Sequence, residues 1–209
     1  SAERVGPLLD QGHRVIDMSA DFRLKDIAEY EQWYEVAHPC PEYMEEAVYG
    51  LPELHRDDVS SARLVANPGC YPTAAVLALA PAVKNGIIEP DIIVDAKSGV
   101  SGAGRAPKLT SHFSEVNENV MAYGLEGHRH LPEIVQELDA LDSSADLKLT
   151  FLPHLVPMTR GILASCYAPL KAGAIASGEA ARGEVRELYA SFYEGEPFAR
   201  VVDSPPMTK

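Results

Sequence analysis

The sequence predicts an α/β segment followed by a mixed-sheet α+β domain. Near the start, short apolar runs alternate with helical patterns, which is typical of units with parallel strands. After residue 90, several strand-like runs surround two or three helical patterns, which is typical of an α+β domain. With 209 residues, the chain is long enough for one large domain or two small ones.

The elements follow from local patterns of apolar, turn and capping residues. In the first part we predict a weak helix ending at Gly12, a buried strand at 13–18, a loop with short helices at 25–50, a turn at 49–54 and a strand ending at Ala66. An Asn-Pro-Gly turn follows, and a helix is predicted from Thr73 with Pro72 at its first position. In the second part we predict strands at 91–96, 147–152 and 161–167, helices at 134–141 and 185–192, and a final strand at 198–202.

The composition excludes some classes of partner. The chain carries 31 acidic and 18 basic residues, a formal net charge of −13, which argues against a nucleic-acid or anionic-membrane surface. No apolar run approaches the roughly 20 residues needed to span a bilayer. The three cysteines lie far apart without a CxxC pair, which argues against a disulfide framework or a structural zinc site and indicates reduced thiols in a cytoplasm.

Cys70 lies between the predicted strand and helix. The start of a helix presents unpaired amides and the positive end of the helix dipole, and both favour the thiolate. Gly69 leaves room for a substrate carbonyl to approach the sulfur. The alternative is a cysteine that packs beneath a helix, and local features do not decide between the two.

Two further segments carry candidate chemistry. Residues 98–104 contain three glycines and two serines, which could present backbone amides to an anion or form a flexible hairpin. His128-Arg129-His130 has three interpretations: ligands of a metal that would need a third donor, structural residues near a helix start, or an acid–base partner for Cys70 beside an arginine that holds an anion. Sequence distance leaves these alternatives open.

Five motifs, in this order, are similar to those of the N-acetyl-γ-glutamyl-phosphate reductase family of arginine biosynthesis. They are ADFRL, NPGCYPTA, SGVSGAGR, HRHLPEI and PHLVPMTRGIL, and the resemblance extends along essentially all 209 residues. The resemblance implies a Rossmann-type domain followed by a catalytic and dimerisation domain of the semialdehyde-dehydrogenase type. It also implies a homodimer or homotetramer, and an NADPH-dependent reduction of an acyl phosphate to an aldehyde through a cysteine thioester.

The resemblance also implies roles for single residues. Cys70 matches the nucleophile and His128 the acid–base residue, whereas Ser98 and Gly99 match positions beside the nicotinamide end of NADP. The positions implied to bind the substrate or support residues that do are Arg23, His130, Glu133 and Arg160. No metal is implied.

The sequence departs from the family at both ends. The glycine-rich dinucleotide fingerprint and the closing segment are absent, so we expect a piece of a longer protein, with residues 1–70 ending the Rossmann domain and residues 71–209 forming most of the second domain. Whether this piece binds NADPH or is active alone is left open. Two alternatives remain: a related reductase of lysine biosynthesis acting on carrier-bound aminoadipyl phosphate, and a non-catalytic dimerisation module.

Overall fold

A parallel three-stranded sheet forms the centre of the first of two units. The structure is a computed structural model that describes residues 2–106 and 108–208, and the chain divides into one unit up to Thr73 and another from Ala74. The elements of the first unit are α1 Ala2–Asp10, β1 Val15–Asp17, α2 Ile27–Tyr34, β2 Val48–Tyr49, α3 Pro52–Ser61 and β3 Leu64–Ala66. The strand order is β1-β3-β2, and both neighbours run parallel to β3.

The core of the first unit packs against this sheet. Its buried members are Ala2, Val5, Leu9, Phe22, Cys40, Met44, Ala47, Leu64 and Ala66. In α1, the first predicted helix, the buried residues recur every three to four positions, so one face of the helix is apolar. Val5 and Leu9 lie on that face, and burial of each side chain stabilises the fold by about 1.5–3 kcal/mol.

Two elements of the first unit were not predicted. The turn predicted at 49–54 contains the end of β2 and the start of α3. Helix α3 has no fully buried residue, so it lacks the apolar periodicity that identifies a helix in sequence, and only Pro52 in its first turn indicates it. The strand ending at Ala66 and the strand at 15–17 are confirmed.

The second unit contains a mixed four-stranded sheet. Its elements are β4 Asp91–Gly99, α5 Phe113–Val116, β5 Met121–Ala122, α6 Leu131–Asp139, β6 Lys148–Val156, β7 Ile162–Tyr167 and α7 Glu179–Phe192, preceded by α4 Cys70–Lys84, which begins at the end of the first unit. The strand order is β5-β6-β4-β7; β4 and β6 are parallel, whereas β5 and β7 are antiparallel to their neighbours.

The two faces of this sheet differ in burial. Along β4, Ile92, Val94 and Ala96 are at most 1% exposed, whereas Ile93 is 50% exposed. This alternation is that of a strand with one face packed in a core. Tyr189 of α7, and Tyr193 directly after it, donate their hydroxyls to backbone carbonyls of α4, at 2.8 and 2.6 Å, which joins the two helices.

Several predictions for the second unit need correction. The final strand at 198–202 is wrong: these residues form no strand, and Phe198 is 89% exposed. A strand is stable only when its backbone pairs with a neighbour, which a short apolar run does not guarantee. Strands β4 and β6 extend to Gly99 and Val156, beyond their predicted ends, and α7 begins six residues before its predicted start. Within the described residues, no helix is long and apolar enough to cross a membrane.

Candidate functional site

Cys70 is the first residue of helix α4 and is exposed. The helix starts three residues before the predicted Thr73, so the cysteine lies in the first helical turn. Thr73 donates both its backbone N–H and its hydroxyl to the Gly69 carbonyl, at 3.0 and 2.9 Å, which fixes this turn. The positive end of the helix dipole therefore lies at the thiol, where it favours negative charge.

The turn before Cys70 is held by residues that are distant in sequence. Asn67 donates its backbone N–H to the Asp17 carbonyl at the end of β1, at 2.9 Å. Arg23, only 8% exposed, donates Nε–H to the Asn67 carbonyl at 2.8 Å. The structure thus places the guanidinium of Arg23 on the backbone that carries Cys70. Its predicted role at the substrate stays a prediction.

The other two cysteines have environments that disfavour the thiolate. Cys40 is buried, and desolvation, followed by the charges of nearby carboxylates such as Glu42, raises the pKa of its thiol. Burial raises the pKa of Cys166 to about 11. Neither is exposed, and neither is the first residue of an α-helix. The local geometry therefore distinguishes one cysteine from the others.

His128 is a half-buried histidine whose ring is surrounded by other rings. Its centroid lies 5.7 Å from that of Tyr123, 5.4 Å from that of Phe151 and 4.8 Å from that of His130. Burial, followed by the positive charge of Arg129, lowers the pKa of His128 to about 4. At neutral pH its ring is therefore uncharged.

One hydrogen bond determines which nitrogen of His128 carries the proton. The backbone N–H of His130 donates to Nδ1 of His128 at 3.1 Å. An acceptor nitrogen carries no proton, so the neutral ring has its proton on Nε2. His128 can therefore donate a hydrogen bond through Nε2–H.

His130 and Glu133 lie at the start of helix α6. His130 is the residue before the helix, which starts three residues before the predicted residue 134, and Pro132 lies in its first turn. Glu133 also lies in this first turn, where the helix dipole favours a carboxylate, and it is only 1% exposed. The helix start thus brings His128, His130 and Glu133 into one short segment. Substrate roles for His130 and Glu133 stay predictions.

Ser98 and Gly99 end strand β4 in a tightly packed position. Ser98 is 3% exposed and donates its hydroxyl to the Gly99 carbonyl at 3.0 Å. A Cβ added to Gly99 would lie 2.6 Å from the backbone nitrogen and Cα of Arg160, so only glycine fits without a shift of the main chain. The structure therefore brings together Ser98, Gly99 and the backbone of Arg160, whose side chain is exposed.

At the start of the glycine-rich loop, the amides do not face an anion, which was one of its two predicted alternatives. The backbone N–H groups of Gly99, Val100 and Ser101 donate to carbonyls of the segment 158–161, at 2.9, 2.9 and 3.0 Å. These three amides therefore already donate hydrogen bonds to main-chain carbonyls of the protein. The start of the loop is hydrogen-bonded to the segment 158–161. At Gly104 the surroundings are open, because an added Cβ would meet nothing within 4 Å.

Sequence reasoning missed two groups in the second unit. Asp95 makes ion-pair contacts with Lys97 at 2.5 Å and with Nδ1 of His154 at 3.2 Å, all on the half-exposed face of the sheet. The alternation of β4 places Asp95 and Lys97 on one face, so the proximity of these two residues could have been predicted from the sequence, unlike that of His154. The other missed residue is Arg105, which follows the glycine-rich loop and lines a cavity of this unit.

The predicted site residues lie in both units. Arg23 and Cys70 belong to the first unit; Ser98, Gly99, His128, His130, Glu133 and Arg160 belong to the second. That Cys70 and His128 act together stays a prediction. Among residues 2–106 and 108–208, no group of three or more His, Cys, Asp or Glu side chains is arranged to hold a metal.

Comparison with protein families gives two matches that together cover most of the chain. The family described as semialdehyde dehydrogenase, NAD binding domain, matches residues 1–62. The family described as semialdehyde dehydrogenase, dimerisation domain, matches residues 70–209. Both descriptions agree with the fold class predicted from the sequence, which is confirmed.

Relatives of known name extend beyond this chain. The chain is 56% identical over 208 residues to an N-acetyl-gamma-glutamyl-phosphate reductase of Dehalococcoides mccartyi, covering all of this chain and 59% of that protein. It is also 56% identical over 193 residues to a protein of the same name from Pelotomaculum thermopropionicum, covering 54% of it. The chain thus spans less than two thirds of the length of these relatives, and the predicted resemblance is confirmed.

A solved structure shares the fold at low sequence identity. Aspartate semialdehyde dehydrogenase II from Vibrio cholerae is 15% identical to this chain and superposes with a TM-score of 0.59, covering 97% of this chain and 63% of that one. At this identity the similarity concerns the fold alone.

Proposed function

This chain belongs to the semialdehyde dehydrogenase family, and from that membership we propose that it is part of an NADPH-dependent N-acetyl-γ-glutamyl-phosphate reductase. The proposed reaction reduces N-acetyl-γ-glutamyl phosphate to N-acetylglutamate semialdehyde and phosphate. The observation that carries the proposal is Cys70, an exposed thiol on the first residue of a helix. The names of the relatives at 56% identity support the choice of substrate.

The proposed chemistry begins at Cys70. Its thiolate attacks the acyl carbon, a C–S bond forms, the bond to the phosphate oxygen breaks, and phosphate leaves with that electron pair. The product is a thioester on Cys70, which accepts hydride more readily than a carboxylate does. Bound NADPH would supply that hydride. The resulting alkoxide then re-forms a C=O bond and expels the Cys70 thiolate, which releases the aldehyde.

His128 is suited to stabilise the oxygen that becomes negative in both steps. The ring is neutral and its proton lies on Nε2, because Nδ1 accepts the backbone N–H of His130. A neutral imidazole that donates a hydrogen bond stabilises an oxyanion, and it does not have to gain or lose a proton between the two steps. We therefore assign His128 as a hydrogen-bond donor to the substrate oxygen, which modifies the acid–base role implied by the resemblance.

The residues present fit the nicotinamide end of a dinucleotide in part. Ser98 and Gly99 end a strand whose parallel neighbour β6 ends beside it, and ligands commonly bind at the carboxyl ends of parallel strands. We propose that Ser98 and Gly99 position the nicotinamide. The choice of NADP over NAD rests on the resemblance.

The open face of the second sheet is the proposed contact with a second copy of this chain. Ile93, Leu163 and Tyr167 share this face by strand register and are 50, 37 and 59% exposed. Such apolar exposure is typical of a surface that another chain covers. The match to a dimerisation domain supports a homo-oligomer. A Leu163→Glu substitution should shift the full-length protein toward monomer in analytical ultracentrifugation.

The control for Leu163→Glu is the same substitution at an exposed leucine outside the sheet. Leu109 is 76% exposed but lies outside the sheet, so Leu109→Glu should leave the association state unchanged. If Leu163→Glu sediments like the wild type, the contact lies elsewhere.

The proposed activity is testable in the reverse direction on the full-length protein. We expect NADP reduction with N-acetylglutamate semialdehyde that requires phosphate, because phosphate must release the acyl group from Cys70. The matched substitution Cys166→Ser should retain this activity, since Cys166 is a high-pKa, partly buried thiol. Absence of NADP reduction with this aldehyde would reject the proposed substrate.

A further inference from the structure

A cavity of about 620 Å³ lies beside the glycine-rich loop and has no role in the reaction derived above. Three segments of the second unit line it, at 100–106, 111–117 and 157–159. Its volume falls in the range of about 300–1,000 Å³ that is usual for small-molecule sites.

One wall of the cavity is held in place by the backbone. Val100 and Ser101 donate their N–H groups to the carbonyls of Met158 and Thr159, at 2.9 and 3.0 Å. Val116 of α5 also lines the cavity and is 9% exposed. The loop that carries the cavity is a direct continuation of Ser98 and Gly99, so it begins where β4 ends.

The lining combines one positive charge with small polar groups and apolar surface. Arg105 is the charged residue, Ser101, Ser111 and Thr159 supply hydroxyls, and Asn117 supplies an amide. The apolar surface comes from Val100, Phe113, Val116, Pro157 and Met158. An arginine binds a carboxylate through two parallel N–H groups, and an amide side chain pairs with another amide.

We propose that this cavity holds the end of the substrate that carries the α-carboxylate and the N-acetyl group, with Arg105 binding the carboxylate. The inference rests on the proposed reductase function. The chemistry matches on three counts: a carboxylate for the guanidinium, an amide for Asn117, and a methyl group for the apolar wall. In a chain of net charge −13, a cation on a cavity wall also offsets the overall repulsion of a negatively charged substrate.

The test compares two aldehydes on the full-length protein. N-acetylglutamate semialdehyde carries the α-carboxylate, whereas 4-acetamidobutanal lacks only that group. For the wild type we expect kcat/KM to be about 10- to 100-fold lower with 4-acetamidobutanal, as for loss of a hydrogen-bonded charge. Arg105→Gln should lose a similar factor on N-acetylglutamate semialdehyde, mainly through KM, and should no longer distinguish the two aldehydes. Its KM for NADP should stay within about twofold, because Arg105 is not among the residues proposed to position the cofactor.

The matched control is Arg182→Gln, which removes the same charge from an exposed position on helix α7. It should behave like the wild type with both aldehydes. If Arg105→Gln still prefers the carboxylate-bearing aldehyde by the wild-type factor, the carboxylate binds elsewhere and the inference is overturned while the proposed function stands. If the wild type does not oxidise N-acetylglutamate semialdehyde at all, both are overturned.

Discussion

Lowering the pH should leave His128 neutral far below the range in which an ordinary histidine gains a proton. With a pKa of about 4, only about 3% of His128 is protonated at pH 5.5, whereas a histidine with a pKa of about 6.5 is about 90% protonated. The low pKa comes mainly from burial among the rings of Tyr123, Phe151 and His130, and secondly from Arg129.

Long-range ¹H–¹⁵N correlation spectra of ¹⁵N-histidine-labelled protein measure this directly. From pH 7 to 5 the signals of His128 should show a protonated Nε2 and an unprotonated Nδ1. In Arg129→Gln the titration midpoint should rise but stay below 6.5, since burial is the larger cause. A wild-type midpoint near 6.5, or a proton on Nδ1, would refute this reasoning.

The same shift has a consequence for stability. The unfolded chain binds a proton at His128 more tightly than the folded chain, so the stabilisation from its neutral ring is complete above about pH 6.5 and is lost as the pH falls toward 4. The shift corresponds to about 3 kcal/mol at most, and solvent screening of this half-buried ring reduces it to about 1–2 kcal/mol. The difference in unfolding free energy between the wild type and His128→Gln should therefore change by that amount over this interval.

Two further predictions concern the cysteines and the glycines. At pH 8, iodoacetamide should alkylate Cys70 at least 100-fold faster than Cys166, as measured by peptide mass spectrometry. The reason is that Cys166, with a pKa of about 11, is only about 0.1% thiolate at this pH, whereas an ordinary thiol is about a quarter thiolate. Equal rates would contradict an activated Cys70. Gly99→Ala should lower the free energy of unfolding by about 1–3 kcal/mol through its clash with neighbouring main chain, whereas Gly183→Ala, on an open helix face, should raise it by about 1 kcal/mol in the same urea titration. No loss in Gly99→Ala would show that the main chain yields there.

Local sequence signals identified the turn and the helix around Cys70 because that chemistry is local. Proline fixes backbone angles, glycine permits the turn, and the apolar alanine-rich run continues as a helix. The contact that holds the turn could not be predicted, because Arg23 and Asn67 are 44 residues apart and meet only through the sheet.

Tertiary context also decided the properties of the second unit. The HRH motif indicated histidine chemistry, but the tautomer of His128 follows from a backbone bond and from ring packing that depends on Phe151. The hydrogen bonds that occupy the first amides of the glycine-rich loop depend on its pairing with residues 158–161, which are distant in sequence. The failed strand at 198–202 has the opposite cause: a suitable composition without a neighbouring strand.

The measurement that tests the central claim most directly is the full-length protein mixed with N-acetylglutamate semialdehyde and NADP in the absence of phosphate. The account predicts a burst of about one NADPH per active site and an acyl group on the Cys70 peptide, both absent in Cys70→Ser. Addition of phosphate should release the acyl group and allow NADPH formation to continue. A burst without acylation of Cys70, or continued turnover without phosphate, would contradict the thioester at this residue.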